Sequence, residues 1–548
     1  MYKLGLVLMA FVLVCCKKTD SGPAPANFDL NGHSVNGETH PSFIYSGVSI
    51  QPAITFTFTE RIKESSISGG VVFTEGATTA VPFNSSLEDD NTTVVIIPTS
   101  PLKGFTQYKI AVNSGLMSET DKSLSNGVIV TINTSMDSTD KFPLITDDEL
   151  LTLVQQQTFK YFWDFGHPVS GLARERNTSG DIVTSGGSGF GIMAILAAIN
   201  RQFITREEGL ERMEKIVSFL KNTAQTFHGA YPHWLNGATG EAVAFSQYDD
   251  GADLVETSYL MQGLITARQF FNGGSNESTL RDDINTIWNG VEWDWFRNGD
   301  QEVLYWHWSP NFNWQMNFPI RGWNECLITY VLAASSVDHS VPKTVYDNGW
   351  AQNGDIRNNG IYYGVQLPMG PSNGGPLFFA HYSFLGINPF DLVDAYANYW
   401  TQNMAHTRIN YNYCVANPNL NVGYSESVWG LTASDNQNGY SAHAPDNDLG
   451  VISPTAAISS LPYTPVESMR ALKFFYYKLG DKIWKEYGFV DAFNLNTPWF
   501  ANSFLAIDQG PMIVMIENYR SGLLWNLFMS APEVKTGMTA LGFTSPNF

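Results

Sequence analysis

The sequence predicts a multidomain protein in which a small all-β sandwich precedes an all-α toroid. At 548 residues, the chain is longer than a single ordinary core usually organises. Near residue 140 the spacing of apolar residues changes from about 2, typical of strands, to about 3.6, typical of helices. Apolar residues make up 43% of the chain and charged residues 15%, which is typical of well-buried globular proteins.

The charge of the chain limits its ligands. There are 31 Lys and Arg residues against 52 Asp and Glu residues, which gives a net charge of −21. Such a surface repels phosphate backbones and other polyanions, so we expect no nucleic acid partner. Aromatic residues make up 14% of the chain, and their ring faces suit a neutral ligand.

The N-terminus has the pattern of an export signal. A short basic start is followed by an apolar run from Leu4 to Val14 that is too short to span a membrane. Two cysteines follow, and the pattern resembles a bacterial lipoprotein signal, with a signal peptide over 1–15, lipidation at Cys16 and an anchor linker over 16–26. The alternative is an ordinary signal peptide with two incidental cysteines. We expect an exported lipoprotein, periplasmic or anchored to the outer membrane, that meets the membrane only through its lipid.

Residues 27–135 have the pattern of the β-sandwich. Short runs that alternate apolar and polar residues are separated by turn residues. The runs cover 53–58, 71–73, 93–97, 108–112 and 128–132. The stretch PTSPLKGFTQY, which leads into the fourth run, resembles the bacterial Ig-like modules that precede secreted enzymes. Because this region has no acid-rich or aromatic cluster, we expect a support domain, followed by a linker over 136–142.

Helix-start signals dominate residues 143–548. Thr146 with Glu149 and Thr205 with Glu208 match the capping box. Proline in the first turn predicts further starts at Asn388-Pro389, Thr464-Pro465 and Gly510-Pro511. Apolar periodicity predicts helices over 190–201, 252–271, 277–297, 322–336 and 532–541. The long loops between them are rich in Trp, Tyr, Asn and Gly, and since such loops are usually functional, we expect a toroid with a cleft at one end.

The stretch QYDDGADLVETSYLMQGL is the strongest chemical signal. It spaces Asp249, Asp253 and Glu256 at i, i+4 and i+7, which predicts one stripe of carboxylates on a helix that is otherwise apolar and buried. Buried acids that converge have displaced pKa values, and proteins use such groups mainly at functional sites. The alternative is structural, because Asp253 with Glu256 also matches a capping box.

Further candidate residues occur among the aromatic stretches. The sequence RGWNECLITYVLAASS predicts Glu325 in the first turn of an apolar helix, where stabilisation by the helix dipole alone would explain a glutamate. His307 and His233, in YWHW and YPHW, could be general bases or metal ligands, although a histidine among aromatics is more often a hydrogen-bonding lining residue. Whether Cys326 and Cys414 form a disulfide stays open.

Several long stretches closely resemble the bacterial glucoamylase-like domain. They include RGWNECLITYVLAASS, GPLFFAHYSFLGINPFD, GYSESVWGLTASD and AIDQGPMIVMIENYRSGLLWNLFMS, and the resemblance covers residues 145–546. The domain is similar to glycoside hydrolase family 144. The resemblance implies an (α/α)6 toroid and an inverting hydrolase of β-1,2-glucan or sophorooligosaccharides that needs no metal or other cofactor. It implies a neutral glucan or oligosaccharide as the partner, and we expect a monomer.

The resemblance also implies roles for individual residues. The acids of the family fall on Asp249, Asp253, Glu256 and Glu325, with Glu325 as the expected proton donor and the base among the other three. The implied substrate-binding residues are His233, Trp234, Trp308, Arg321, Trp323, His381, Tyr382, Glu426, Trp429 and Tyr463. Three alternatives remain: a polysaccharide lyase, a non-catalytic glycan-binding lipoprotein, and a hydrolase of another α- or β-glucan. Endo versus exo action also stays open.

Overall fold

The computed structural model describes residues 27–548, so the predicted signal peptide 1–15, the lipidation site Cys16 and the rest of the linker 16–26 lie outside the described residues. The chain divides into two compact units, Met1–Asp137 and Ser138–Phe548. The division falls within the predicted linker 136–142. Over residues 27–548 no helix combines the length and the apolar character needed to cross a membrane.

The first unit is built from two β-sheets. One sheet has the order β1-β3-β7-β6 and the other the order β2-β9-β8-β4-β5, with β2 and β9 parallel and every other pair antiparallel. In β3 the side chains of Ile54, Phe56 and Phe58 are buried and the threonines between them are partly exposed, as alternation along a strand requires. Side chains from both sheets form one apolar core, so the predicted all-β domain is confirmed.

The nine strands of this unit are β1 (Leu30–Val35), β2 (Ile44–Val48), β3 (Ile54–Phe58), β4 (Val71–Glu75), β5 (Thr79–Ala80), β6 (Phe83–Glu88), β7 (Thr93–Pro98), β8 (Gln107–Val112) and β9 (Val128–Thr134). Between β3 and β4 lie the 3-10 turn Glu64–Ser66 and the short helix α1 (Ile67–Gly70).

The second unit is helical. Its helices are α2 (Asp147–Trp163), α3 (Ser185–Asn200), α4 (Arg206–Asn222), α5 (Leu254–Phe270), α6 (Ser275–Asn289), α7 (Leu327–Ser335), α8 (Lys343–Val345), α9 (Tyr399–Ala416), α10 (Pro454–Ile458), α11 (Pro465–Ile483), α12 (Ala506–Ser521), α13 (Leu523–Ser530) and α14 (Pro532–Leu541). Short helical turns occupy Trp293–Arg297, Tyr346–Trp350, Gln352–Gly354, Leu377–Ala380 and Tyr382–Leu385.

Short strands border the loops of this unit. They are β10 (Ile182–Thr184), β11 (Trp234–Asn236), β12 (Ala242–Val243), β13 (Ala252–Asp253), β14 (His307–Trp308), β15 (Ile361–Tyr362), β16 (Val365–Gln366), β17 (Ala433–Asn436), β18 (Gly439–Ala442), β19 (Trp484–Lys485), β20 (Gly488–Phe489), β21 (Phe493–Asn494) and β22 (Trp499–Phe500). They pair as a three-stranded sheet of β10, β11 and β12 and as antiparallel pairs of two strands, among which β13 and β14 are far apart in the chain.

The two helix starts that the sequence predicts from a capping box are confirmed. Thr146 and Thr205 both form the predicted capping boxes, at the starts of α2 and α4. Two proline-based predictions are wrong. Asn388-Pro389 starts no helix, since α9 begins at Tyr399, and Gly510-Pro511 lies inside α12, which begins at Ala506.

Close packing of α3 against α5 brings their first turns together. Both helices are buried almost all round, and α3 also packs against α12. The approach depends on Gly189 and Gly263, because a Cβ on either would collide with backbone atoms of the facing helix. The glycine-rich start of α3 is therefore a packing feature, and it places the α3 N-terminus beside Glu256 in the first turn of α5.

Candidate functional site

The acids of the QYDDGADLVET stretch do not share one helix. Because α5 begins at Leu254, only Glu256 is helical, while Asp253 ends strand β13 and Asp249 lies in the preceding turn. The predicted helical stripe is therefore wrong. Asp253 is the N-cap of α5, since its Oδ1 accepts from the backbone N–H groups of Val255 at 3.0 Å and Glu256 at 2.9 Å. The full capping box is absent, because the Glu256 side chain bonds to α3 instead.

The acids Asp249, Asp253 and Glu256 nevertheless converge around two histidines, and we call these three residues the acid cluster of α5. His233 Nδ1 lies 2.9 Å from Asp253 Oδ2 and 3.9 Å from Asp249 Oδ2. His307, which faces Asp253 across the β13–β14 pair, places its Nδ1 3.4 Å from Asp249 Oδ1 and 3.7 Å from Asp253 Oδ2. Burial opposes a charge on His233, but Glu256, Asp253 and Asp249 outweigh it and raise the pKa of His233 to about 9. His233 is therefore an imidazolium at neutral pH, and it offsets part of the acidic charge.

The pKa values of Glu256 and Asp253 are displaced in opposite directions although both residues are buried. Burial favours the neutral form of Asp253, yet the hydrogen bond from His233 and the nearby histidine charges hold the pKa of Asp253 below its ordinary value. Burial raises the pKa of Glu256, whose Oε2 accepts from Thr184 Oγ1 at 3.0 Å and from the Gly186 N–H at 2.8 Å. These donors stand at the positive end of the α3 dipole.

Glu325 lies in a turn two residues before α7, so its prediction as a first-turn residue is wrong. Burial raises the pKa of Glu325 to about 8, opposed by a hydrogen bond to its own backbone and reinforced by the charges of Glu256 and Asp253. At neutral pH a protonated Glu325 therefore stands near an ionised Asp253. Carboxyls whose environments drive their pKa values apart are suited to separate acid and base roles.

Four of the predicted binding residues surround these acids. His233 and Trp234 are half-buried at β11, Trp308 is half-buried in β14, and the Tyr382 ring contacts the Tyr259 ring of α5. Sequence analysis missed two exposed rings beside them. Phe245 stacks on His233, with centroids 4.2 Å apart, and Phe318, like Phe245 49% exposed, lies parallel to His307. Exposed aromatic faces of this kind suit the apolar face of a sugar ring.

The other predicted binding residues lie elsewhere. Trp323, His381, Trp429 and Tyr463 are buried, and their polar atoms bond to His406, Ser460, the Glu467 carbonyl and the Ala380 carbonyl, respectively. Because their polar atoms are engaged within the core, these four predictions are corrected to core residues. Glu426 pairs with Arg470 on the exterior, and Arg321 is exposed and contacts the Asn348 carbonyl at 3.4 Å. None of these six side chains hydrogen-bonds to Asp249, Asp253, Glu256 or Glu325 within residues 27–548.

Two residues of the acid cluster of α5, together with His233, also have the geometry to hold a cation. One ligand atom each from His233, Asp249 and Asp253 lies within 4.8 Å of the others. A metal ligand must be a neutral imidazole, whereas His233 is protonated by its acidic neighbours. The local chemistry therefore favours a proton over a metal ion on His233. Cys326 and Cys414 are both buried free thiols.

A second acid cluster was not predicted. It consists of Asp435, Asp491 and Asp508 together with Arg176, which we call the aspartate cluster. Arg176 Nη1 bonds to both carboxylate oxygens of Asp435 at 3.3 and 3.2 Å, and Asp491 Oδ2 accepts the Asp435 N–H at 2.6 Å. Burial and the charge of Asp435 raise the pKa of Asp491 to about 7, and burial and Asp491 raise the pKa of Asp508 well above its ordinary value. These two carboxyls hold a proton at neutral pH.

Comparison with known proteins gives matches for both units. The family model described as "Putative glucoamylase" matches residues 317–532, and the bacterial Ig-like domain model matches residues 37–134. The exo beta-1,2-glucooligosaccharide sophorohydrolase (non-reducing end) of Parabacteroides distasonis is 48% identical over 418 residues, which are 72% of this chain. The chain spans 58% of the length of that relative.

Similar solved structures include two glucanases. The endo-β-1,2-glucanase of Chitinophaga pinensis, in complex with sophorotriose and glucose, is 52% identical with a TM-score of 0.72, covering 74% of this chain and 100% of that one. The β-1,2-glucanase of Parabacteroides distasonis is 37% identical with a TM-score of 0.72, covering 94% of this chain and 73% of that one.

Proposed function

The chain belongs to the bacterial glucoamylase-like family, and from this membership we propose that it is a glycoside hydrolase of β-1,2-glucan or sophorooligosaccharides. The sophorohydrolase and the two glucanases among its relatives are named for β-1,2-glucan and its oligosaccharides. The substrate is a neutral polymer, which agrees with the net charge of −21.

One observation supports hydrolysis most strongly. Glu325, with a pKa raised to about 8, stands protonated near an ionised Asp253 at the N-terminal ends of neighbouring helices α7 and α5. Glycoside cleavage needs a carboxylic acid that protonates the leaving oxygen at neutral pH. Exposed Phe245 and Phe318 flank the same acids and offer ring faces to sugars.

The mechanism follows from these groups. Glu325 donates its proton to the glycosidic oxygen as the bond to the anomeric carbon breaks. Asp253, Asp249 and the His233 imidazolium form a polar wall that binds sugar hydroxyls in one orientation. In an inverting enzyme a second carboxylate activates water on the opposite ring face, about 6.5–9.5 Å from the acid. The product of a β-linkage is then an α-anomer.

The fold that we propose for the second unit is an (α/α)6 toroid. Along the chain, partly exposed helical segments alternate with buried ones. The successive pairs are α2 with α3, α4 with α5, α6 with α7, the 343–350 segment with the 377–385 segment, α9 with α10, and α11 with α12. Neighbouring buried members contact each other from α3 through α5 and α7 to the 377–385 segment, and from α10 through α12 back to α3. The His381–Ser460 hydrogen bond joins the 377–385 segment to the residues after α10, which supports a closed ring.

The cellular setting is also a proposal. The apolar run from Leu4 to Val14 before Cys16 supports export as a lipoprotein anchored in the periplasm or at the outer membrane. The membrane contact would then be the lipid alone, and the catalytic protein would act as a monomer.

The test is a panel of linear β-1,2-, β-1,3- and α-1,4-glucans, with products resolved by size and their anomeric form followed by NMR. We expect new reducing ends from β-1,2-glucan alone, released as α-anomers. Cleavage of the α-1,4-glucan without cleavage of the β-1,2-glucan would reverse the substrate assignment. Binding of β-1,2-glucan without new reducing ends would favour a glycan-binding protein, and β-anomeric products would disprove inversion.

A further inference from the structure

The aspartate cluster places two carboxyls in the protein interior, where their mutual repulsion is unfavourable. Asp491 and Asp508 are each only 2% exposed, and the two buried carboxyls hydrogen-bond to each other. Two carboxyls that face each other in a dry interior repel each other unless they share a proton. Proteins retain buried carboxyls of this kind mainly at functional sites.

The proposed ring places the aspartate cluster on the side opposite Glu325. In the proposed ring of buried members, Asp508 is in the first turn of α12 and Glu325 precedes α7, which is three members away, on the opposite side. Tyr382 packs on Phe190 and on Tyr259 of α5. Burial raises the pKa of Tyr382, and the charges of both Asp508 and Glu325 add to this effect, so both carboxyls lie within electrostatic reach of its hydroxyl.

Glu175 is a second residue whose pKa responds to both clusters. Glu175 bonds to Arg176, and its pKa, raised by burial, also responds to the charges of Asp435 and His233. Asp435 belongs to the aspartate cluster, and His233 contacts the acid cluster of α5. Glu175 therefore lies within electrostatic reach of both clusters.

Room for a sugar ring exists at the aspartate cluster. A cavity of about 620 Å³ is lined by Arg176, Asp435 and Ser503 and by the aromatic rings of Tyr440, Trp499 and Phe500. Ser503 Oγ donates to Asp435 at 2.5 Å, so the polar wall of the cavity is rigid. A lining that combines aromatic rings with polar side chains suits a neutral sugar.

We infer that the Asp491–Asp508 pair is the general base of the reaction, acting from the ring face opposite Glu325. This inference rests on the proposed function. The pair accepts one proton from a water molecule whose oxygen bonds to the anomeric carbon. The bond from that carbon to the leaving oxygen breaks, and Glu325 supplies the proton that this oxygen takes up. Arg176 and Asp435 hold the pair in place.

The acids of the α5 cluster are less suited to this task. Both oxygens of Asp253 are engaged, one by the α5 N-terminus and the other by His233. Glu256 accepts two hydrogen bonds from α3. These acids also approach Glu325 from the adjacent helix, whereas inversion requires the base on the opposite face of the sugar.

The experiment compares Asp508→Asn and Asp491→Asn with Asp394→Asn, a half-buried carboxylate control whose partners Tyr346 and Tyr399 belong to the helical core. For each variant kcat and KM on sophorooligosaccharides of defined length and the melting temperature are measured. We expect at least one variant of the pair to lose about 10²–10⁴-fold in kcat with KM changed only a few-fold. The control should keep its kcat.

Azide distinguishes a base from a positioning residue. With an aryl β-sophoroside, azide attacks the anomeric carbon as the aryl oxide leaves, so no base is needed. Azide should restore turnover of the impaired variant and yield an α-glycosyl azide. Because rescue occurs only in a folded protein, either variant of the pair is sufficient for this test. Loss of activity without rescue, or near-wild-type kcat in both variants, would overturn the inference. A wild-type chain inactive on β-1,2-glucan would instead overturn the proposed function, and the inference with it.

Discussion

The two acid clusters solve the same electrostatic problem in different ways. Around Asp253 the acids are neutralised by the His233 imidazolium, by His307 and by helix N-termini, so one carboxyl stays ionised while Glu325 keeps its proton. Arg176 pairs with Asp435 and with Glu175 but not with Asp491 or Asp508, and these two carboxyls hold a proton instead. The first arrangement separates charges, whereas the second shares one charge between two carboxyls.

This difference assigns different chemistry to the two sides. A proton fixed on Glu325 by burial is available for donation, and a carboxyl pair with a single proton can take up another. The comparison predicts that changes at the two clusters produce different kinetic defects.

The largest effect is expected from Glu325→Gln. The amide keeps the shape and hydrogen bonds of the acid but cannot donate the proton, so kcat should fall by about 10³–10⁴-fold or more for a sugar leaving group. Binding of sophorotriose, measured by calorimetry, should change little. Glu467→Gln is the control, because that side chain pairs with Arg408 away from the acids. A near-wild-type kcat for Glu325→Gln would remove Glu325 from the mechanism and end the contrast between the clusters.

The pH profile tests the same contrast without a mutation. Since the pKa of Glu325 is raised to about 8, its catalytic proton is present below pH 8 and is lost as the pH rises through that value. We expect kcat/KM to fall about tenfold per pH unit on this alkaline limb. His233, with a pKa of about 9, stays largely charged where the fall begins. A fall beginning near the ordinary pKa of glutamate would contradict the burial argument.

Aromatic residues on the two sides test whether both clusters border one binding cleft. Phe245 covers His233, and Tyr440, 47% exposed, lines the cavity of the aspartate cluster. Loss of one ring contact of about 0.5–1.5 kcal/mol should raise KM by roughly 2- to 12-fold for Phe245→Ala and for Tyr440→Ala, with kcat nearly unchanged. Leu420→Ala, which removes an 85% exposed side chain, is the control. If Tyr440→Ala left KM unchanged for every oligosaccharide length, the aspartate cluster would lie outside the cleft.

The fold was predictable where the signal is local. Capping boxes at Thr146 and Thr205 place two helix starts correctly because cap and partner lie three residues apart. A proline alone is less informative, because its fixed φ suits turns as well as first helical turns, and Asn388-Pro389 proved to be a turn. Strand β1, LNGHSV, was missed since its polar residues and glycine give no alternation.

The same distinction applies to the site. Asp249, Asp253 and Glu256 are close in sequence, so their convergence was predictable even though their helical geometry was not. Asp435, Asp491 and Asp508 are far apart in the chain, and only the tertiary fold brings them together. Aromatic residues show the limit most clearly, because Trp429 is core and Phe245 is exposed, and the sequence has no pattern that separates them.

The smallest effect that we predict concerns the support of Glu256. Its Oε2 accepts from Thr184 Oγ1, so Thr184→Val removes one donor from a buried carboxyl while preserving side-chain volume. The unfolding free energy of the helical unit should fall by about 1–2 kcal/mol, because the oxygen loses a donor that water cannot replace there.

Thr158→Val is a matched control. The Thr158 hydroxyl is buried without a hydrogen-bond partner among the described residues, so its removal should be neutral or stabilising. Denaturant unfolding followed by circular dichroism would measure both variants. Equal changes in the unfolding free energy of the two variants would mean that the Glu256 hydrogen bond adds nothing to stability. The acids near α5 would then be stabilised by His233 and His307 alone.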